Sequence, residues 1–435
     1  MHTTAPDQSP VEPPGAAADR QPHQAGADLP PLIRNLDFQA LWSSRFLAGL
    51  GKESGEVAYP LLTLMASGSA AHAGTIGAAQ AVTAMVAAVL GGSLADRADR
   101  RTVLLCCDVG RLVLMGAFTV LLLHAQVALP LVLAVAVCSA ALTGISNPVA
   151  MASVKQLVPP AQVATASAQN QIRFFTTTAL GGTAAGFLFG LGRAVPFLAE
   201  AFACLVSAVL VLFIRRPMQS GERRERRPWT PGGAVGGFTF LARHPLLRPM
   251  LCWIVGFNLV FSQAGVSLAL IATAEGLGAG HLQIGLTVSL AGFGGLAGAL
   301  VAGPVVRRVR PSAMFLAAAW SAPVCALLLV VTPHIVWLGL FVGGVFAIVP
   351  CVNAVFYAYI AVSVRDEYQG RVLGAVTFTC MASQPVGILG VGVLFDLAGP
   401  TWVFLAMGLV SALAALFTLS PVMRDLPRPE ELAAV

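Results

Sequence analysis

The sequence predicts an all-α membrane protein with twelve transmembrane helices in two six-helix halves. Three observations carry that prediction: the composition, the number of long apolar runs, and the placement of the basic residues. Over 435 residues the chain is 57% hydrophobic and only 11% charged, against roughly a quarter charged in soluble domains. Residues 35–420 leave room for about a dozen spans of roughly twenty residues joined by short loops.

The elements follow in order. Residues 1–34 are proline-rich and nearly free of large apolar side chains, so they cannot bury enough surface to fold and read as a disordered tail. They lack the basic start, apolar run and small-residue site of a cleavable signal peptide. Apolar runs then place spans near 40–66, 73–95, 102–124, 128–152, 166–190 and 194–214 in a first half, 35–214. A linker, 215–248, follows. A second half, 249–420, holds spans near 249–275, 282–305, 312–332, 335–362, 372–396 and 400–420, ahead of a short tail, 421–435.

Basic residues test that count. With both termini cytoplasmic, the inward segments carry Arg34, then Arg97, Arg100 and Arg101, then Lys155. The linker adds its arginines, and Arg307, Arg308, Arg310, Arg365, Arg371, Arg424 and Arg428 follow. The outward loops hold Arg193. A missed or extra span would invert this positive-inside bias downstream of the error. The linker itself combines Arg215, Arg216, Arg223, Arg224, Arg226 and Arg227 with an apolar stretch from Gly233 to Leu241, which predicts an interfacial segment on anionic lipid. Topology and lipid account for this basic run, so no nucleic-acid partner is expected.

An internal repeat supports the division into halves. A shift of 206 residues sets Gly92 on Gly298, Arg101 on Arg307, Asn147 on Asn353, Gly181 on Gly387 and Gly186 on Gly392. One offset serving three helix pairs is the mark of parallel repeats related about an axis along the membrane normal.

Enzyme chemistry finds no footing. Gly51-Lys52-Glu53 is no phosphate loop, because Lys52 is not followed by Ser or Thr. The eight cysteines lie in apolar runs without metal-ligand or redox spacing, and read as small core residues. No cofactor and no metal are expected.

The loop after the second span reads Gly92-Ser-Leu-Ala-Asp96-Arg97-Ala-Asp99-Arg100-Arg101. It resembles the conserved loop between helices two and three of the major facilitator superfamily, with Asp99 standing where that family places a glycine. The resemblance implies a gate role for Asp96, Arg97, Arg100 and Arg101. Further features are similar to the branch holding the enterobactin exporter and macrolide-efflux-like proteins. They include the entry Asp37 to Trp42, Asp108 with Arg111 in the third span, Val158 to Pro160, Arg243 to Leu247, and Gly370 to Val372. That branch implies a proton-coupled exporter, monomeric, in a bacterial inner (plasma) membrane. Drug/proton antiporters carry a Gly-Pro pair in the fifth span, and Thr177-Thr178 stand there instead.

Charge inside an apolar span costs roughly 2.5–3.5 kcal/mol at the helix centre on insertion scales and calls for a functional or structural reason. The first span holds Arg45, Lys52, Glu53 and Glu56. Arg45, Lys52 and Glu56 share one helical face, bordered by Glu53, and that face is expected to look into a cavity. Lys52 and Glu56 are spaced to pair. Glu53 or Glu56, beside Lys52, is the expected proton-coupling carboxylate, with a neutralised ion cluster holding the first helix as the alternative. Asp108 and Arg111, one turn apart, read as gate or packing elements, as do Asn170 and Arg173. Arg45, Asn147, Asn170, Arg173, Asn258, Gln263, Asn353, Tyr357 and Gln384 make up the expected cavity lining, which suits an amphiphilic organic molecule.

The sequence therefore predicts a secondary active transporter that exports an amphiphilic small molecule, a drug or a secreted metabolite, against protons, with lipid as its other partner. An importer or facilitator of the same fold is the nearest alternative. A non-transporting sensor or lipid-handling protein is the second.

Overall fold

The computed structural model describes residues 31–124, 128–219, 231–331, 334–428 and 431. Six helices form the first half: α1 (Leu36–Ser67), α2 (Ala70–Arg97), α3 (Arg100–His124), α4 (Leu129–Leu157), α5 (Val163–Leu191) and α6 (Val195–Leu212). A short α7 (Pro231–Arg243) follows. The second half comprises α8 (Leu247–Phe261), α9 (Gln263–Gly276), α10 (His281–Arg308), α11 (Pro311–Val331), α12 (Ile335–Ser363), α13 (Asp366–Ala398) and α14 (Pro400–Ala415).

Among the described residues, eleven segments are long and apolar enough to cross a membrane, with α8 and α9 counted as the single segment Leu247–Gly276. The twelfth is α1, whose 32 residues hold the charges Arg45, Lys52, Glu53 and Glu56. It packs against α2, α4, α5 and α6, so protein shields those groups from lipid. Asn35 starts α1 by accepting the Phe38 amide at 3.1 Å and donating to the Leu157 carbonyl at 2.8 Å. Gly68 ends it at φ 65°, a left-handed turn that favours glycine.

The halves meet along two seams, α5 against α10 and α2 against α13, while α9 reaches across to α1 and α2. Small residues set both seams, because association in lipid depends on close packing rather than on hydrophobic expulsion. A Cβ on Gly285 would stand 2.9 Å from Gly186, and one on Gly74 would stand 3.2 Å from Gly392. These contacts lie toward the end of the bundle that carries the α1–α2 turn, here termed the closed end. At the opposite end, residues 299–308 of α10 are exposed or half-buried, as are 163–174 of α5 apart from Ala166. The halves are apart there, and the bundle opens toward the α2–α3 loop.

The 206-residue repeat is expressed in this packing. Gly186 meets α10, and its counterpart Gly392 meets α2. Gly181 faces Glu53, and its counterpart Gly387 faces Leu259, which is itself 206 residues beyond Glu53. The same close approach thus holds a carboxylate in one half and a leucine in the other.

The apolar stretch expected to lie on lipid is α7, and it packs on α13. Gly237 abuts Arg371 and Ala375, the Phe238 ring meets Phe378 edge-on at 6.0 Å, and Leu241 is buried. The arginines at 223, 224, 226 and 227 lie outside the described residues. Of the cysteines, Cys106 and Cys138 are exposed rather than core.

Candidate substrate cavity and charged network

A cavity of about 450 Å³ lies between α5 and the helices of the second half. On α8, Trp253, Phe257 and Phe261 recur every fourth residue and so share a face. Their ring centroids are 5.8 and 5.4 Å apart, the latter pair stacked at 16°. Phe174 and Phe175 face them from α5, and Phe346 from α12. Five primary amides supply the larger polar groups: Gln171, Asn258, Gln263, Asn353 and Gln384. Among the described residues, no charged side chain lines the cavity.

Four expected lining residues are therefore at the cavity: Asn258, Gln263, Asn353 and Gln384. Five are not. Asn147 is exposed on α4 and Tyr357 is 50% exposed on α12, and neither is among the residues that line this cavity. Asn170 and Arg173 are not among the lining residues of α5, which are Gln171, Phe174, Phe175 and Thr178. Arg45 is 6% exposed and turns away from the cavity, because its guanidinium binds the Asp108 carboxylate on α3 and donates to Ser207 on α6 at 2.7 Å.

Asp108 and Arg111 do not act as a pair, and neither belongs to the gate loop. Asp108 also accepts the Ser207 hydroxyl at 2.7 Å, while Arg111 donates to Glu200 of α6 at 2.5 Å. All four charged groups are nearly inaccessible, and each is compensated by an opposite partner, as burial requires. Glu200 was not singled out from the sequence. Its signal was present: it is the only charged residue in α6, and an acid inside an apolar span calls for a partner.

Glu53, Lys52 and Glu56 form a second group nearer the junction of the halves. Lys52 Nζ lies 3.1 Å from Glu53 and 2.5 Å from Glu56. Glu53 is the buried member, at 8% side-chain exposure, whereas Glu56 is at 37%. The free face of Glu53 points to the other half, where its Oε2 accepts the Gln263 side-chain amide at 2.8 Å. Gln263 also lines the cavity, so one side chain touches both sites. It opens α9 immediately after Ser262, whose extended backbone (φ −59°, ψ 144°) breaks the span and whose hydroxyl caps the Gly265 amide. Broken spans at a binding site are a device of transporters. Nothing in the composition of 249–275 marked the break.

The α2–α3 loop is tied down by Arg100 and Asp99. Arg100 is buried and donates to the carbonyls of Ala95, Ala152 and Met218 at 2.8, 3.0 and 2.9 Å. Arg101 reaches the Leu212 carbonyl. Asp96 and Arg97 are exposed. Asp99, in the glycine position of the motif, accepts the amide and hydroxyl of Thr102 at 2.9 and 2.6 Å and so caps α3. The Thr102 hydroxyl holds its carboxyl below the usual aspartate range.

Two repeated six-helix halves around a cavity, open at one end and closed at the other, define a membrane transporter of the alternating-access kind. The Major Facilitator Superfamily model matches residues 41–388 and 252–434, and the chain belongs to that family. It is 26% identical over 356 residues to the uncharacterized MFS-type transporter YfiS of Bacillus subtilis (strain 168), covering 78% of this chain and 82% of that one. It is 26% identical over 400 residues to the multidrug efflux pump Tap of Mycolicibacterium fortuitum, covering 88% and 94%. Among solved structures, a bacterial homolog of the human lysosomal transporter Spinster, described as inward-facing and unoccupied, superposes with a TM-score of 0.67 at 14% identity over 89% of this chain and 96% of that one. A variant of the nucleoside transporter NupG gives 0.70 at 11% identity over 88% and 99%. These similarities concern the fold.

Proposed function

We propose that the chain exports an amphiphilic small molecule in exchange for protons. The observation that carries this reading is a cavity with no charged lining side chain, walled by aromatic rings and primary amides, with the Glu53 carboxylate one hydrogen bond behind it. Such a wall suits a ligand that buries a flat apolar body and pairs a few polar groups. A sugar would need denser polar lining, and a carboxylate or phosphate would need fixed cations. The likeness to a multidrug efflux pump supports the outward direction.

In this reading the open end faces the cytoplasm, which the positive-inside bias of the basic residues supports. Ligand enters there, the exposed portions of α5 and α10 close over it, and the closed-end seams part. Glu53 carries the proton in the reverse sense. A proton moved down 100 mV supplies about 2.3 kcal/mol, enough for roughly fiftyfold accumulation. The test is ethidium accumulation in drug-sensitive bacterial cells expressing the chain, with and without a protonophore, beside an Asp96→Asn control. Lower accumulation that the protonophore abolishes is expected. Higher accumulation than in empty cells would instead identify an importer.

A further inference from the structure

Gln263 is the only lining residue of the cavity hydrogen-bonded to a charged side chain, Glu53, among the described residues. An ionised carboxylate has only acceptors, so Gln263 must present its NH₂ to Glu53, which leaves its Oε1 free for another donor. A protonated Glu53 has a donor of its own. It can give that proton to Oε1 of a turned amide, which then points Oε1 at Glu53 and NH₂ at the cavity. The amide therefore has two orientations: the ionised carboxylate allows only the first, and the protonated one allows the second as well.

We propose that Gln263 is the positioning residue that couples ligand occupancy to the proton on Glu53, and that the ligand it recognises carries a hydrogen-bond donor, such as an amine N–H or a hydroxyl. This rests on the exchange reading above. A ligand donor that engages Oε1 fixes the orientation belonging to the ionised carboxylate, so binding favours release of the Glu53 proton. Reciprocally, protonation weakens the contact with the ligand donor. The step moves one proton between Glu53 and the water of the open vestibule, and no other bond changes.

The surroundings of Glu53 leave this role to Gln263. On its own helix, Lys52 bridges Glu53 and Glu56. From α6, Glu200 lies against Gly51 and Gly55 on another face of α1 and is engaged by Arg111 of α3. From α5, Glu53 meets Gly181, which has no side chain to offer, and Arg173 lies by Arg45 instead. The helix break at Ser262 adds a mechanical consequence. α9, which starts at Gln263, packs on α1 and α2 of the first half as well as on α10 and α13 of its own, whereas α8 packs on α13 and α14. The amide thus sits at the joint between a segment that bridges the halves and one held by the second.

The test uses the full chain in lipid nanodiscs. The infrared carboxyl band of Glu53 is identified by its loss in Glu53→Gln, and is followed in wild type, Gln263→Leu and Gln263→Asn. A frequency shift in both Gln263 variants is expected, and an unchanged band in both overturns the proposal without any ligand being needed. Binding of ethidium, which bears amino donors, is then compared with that of tetraphenylphosphonium, which has none. Ethidium affinity is expected to rise about tenfold as Glu53 ionises, a coupling of ordinary size, and the rise is lost in Gln263→Leu. A rise for ethidium that survives Gln263→Leu overturns the proposal, as does an equal Gln263-dependent rise for tetraphenylphosphonium. Cells that fail to export ethidium while the infrared band moves would defeat the export reading and leave this contact standing.

Discussion

Asp396, in the last turn of α13, accepts the hydroxyl of Ser69, the cap of α2, at 2.5 Å, and receives the amides of Ala70 and Ala71 at 2.7 and 3.0 Å. One carboxylate from the second half thereby satisfies the helix N-terminus of the first and meets its positive dipole end. It is the polar latch of the closed end, beside the Gly74–Gly392 approach.

Removing that latch shifts the balance between the two open states. Asp396→Ala forfeits a charge–dipole contact and charge-assisted bonds, together about 1–2 kcal/mol, or a factor of about 5–30 in population. Spin labels at positions 72 and 397, in a background without the exposed cysteines, are expected to show a longer-distance population growing by that factor. An unchanged distribution would remove Asp396 from the gate.

Glycines of the other seam have no room for a side chain. Gly285→Val is expected to leave the protein folded but unable to close that end, with transport lost and the wide spacing dominant. Activity above a tenth of wild type would mean that α5 and α10 need not approach so closely.

The buried pairs of the first half have apolar counterparts in the second: 206 residues beyond Arg45, Asp108, Arg111 and Glu200 stand Leu251, Met314, Ala317 and Ala406. Stability alone therefore does not require the charges, but breaking one pair strands its partner. Glu200→Ala is expected to cost about 3–5 kcal/mol, read as a lower midpoint of thermal unfolding in detergent. Arg111→Met with Glu200→Leu is expected to recover most of it. Equal loss in the double variant would show that the pair does more than cancel itself.

The cap at Asp99 gives a pH signature. Its carboxyl lies below the usual range in the folded chain, so its contribution is complete above the unfolded aspartate pKa of about 3.9. That contribution disappears as pH falls through the lower folded value. Asp99→Ala is expected to cost about 1 kcal/mol at neutral pH and progressively less in acid. A difference from wild type that persists unchanged below pH 3 would contradict the capping role.

The helices and their number were legible because hydrophobic runs and basic loops follow from the bilayer itself, and even α1, with three charges between Lys52 and Glu56, fell where expected. Which charge meets which was not. The spacing of Asp108 and Arg111, one turn apart, marks them as gate or packing elements and names no partner, yet each is claimed from outside α3, by Arg45 of α1 and Glu200 of α6. The long arginine side chain of Arg45 reaches off the face that its helical position assigns. Local spacing also gave no sign of Asp396, because its partner is a helix terminus 325 to 327 residues away. Glu53 is the opposite case. Its place in an apolar span made it a candidate beside Glu56, and the structure added its contact with Gln263.

The most direct test of proton-driven exchange uses proteoliposomes loaded with ethidium and nucleic acid, in which an imposed pH gradient is switched on. Wild type is expected to move ethidium against its own gradient, while Glu53→Gln retains ethidium–ethidium exchange and loses the gradient-driven movement. Identical pH-driven transport by wild type and Glu53→Gln would contradict the account.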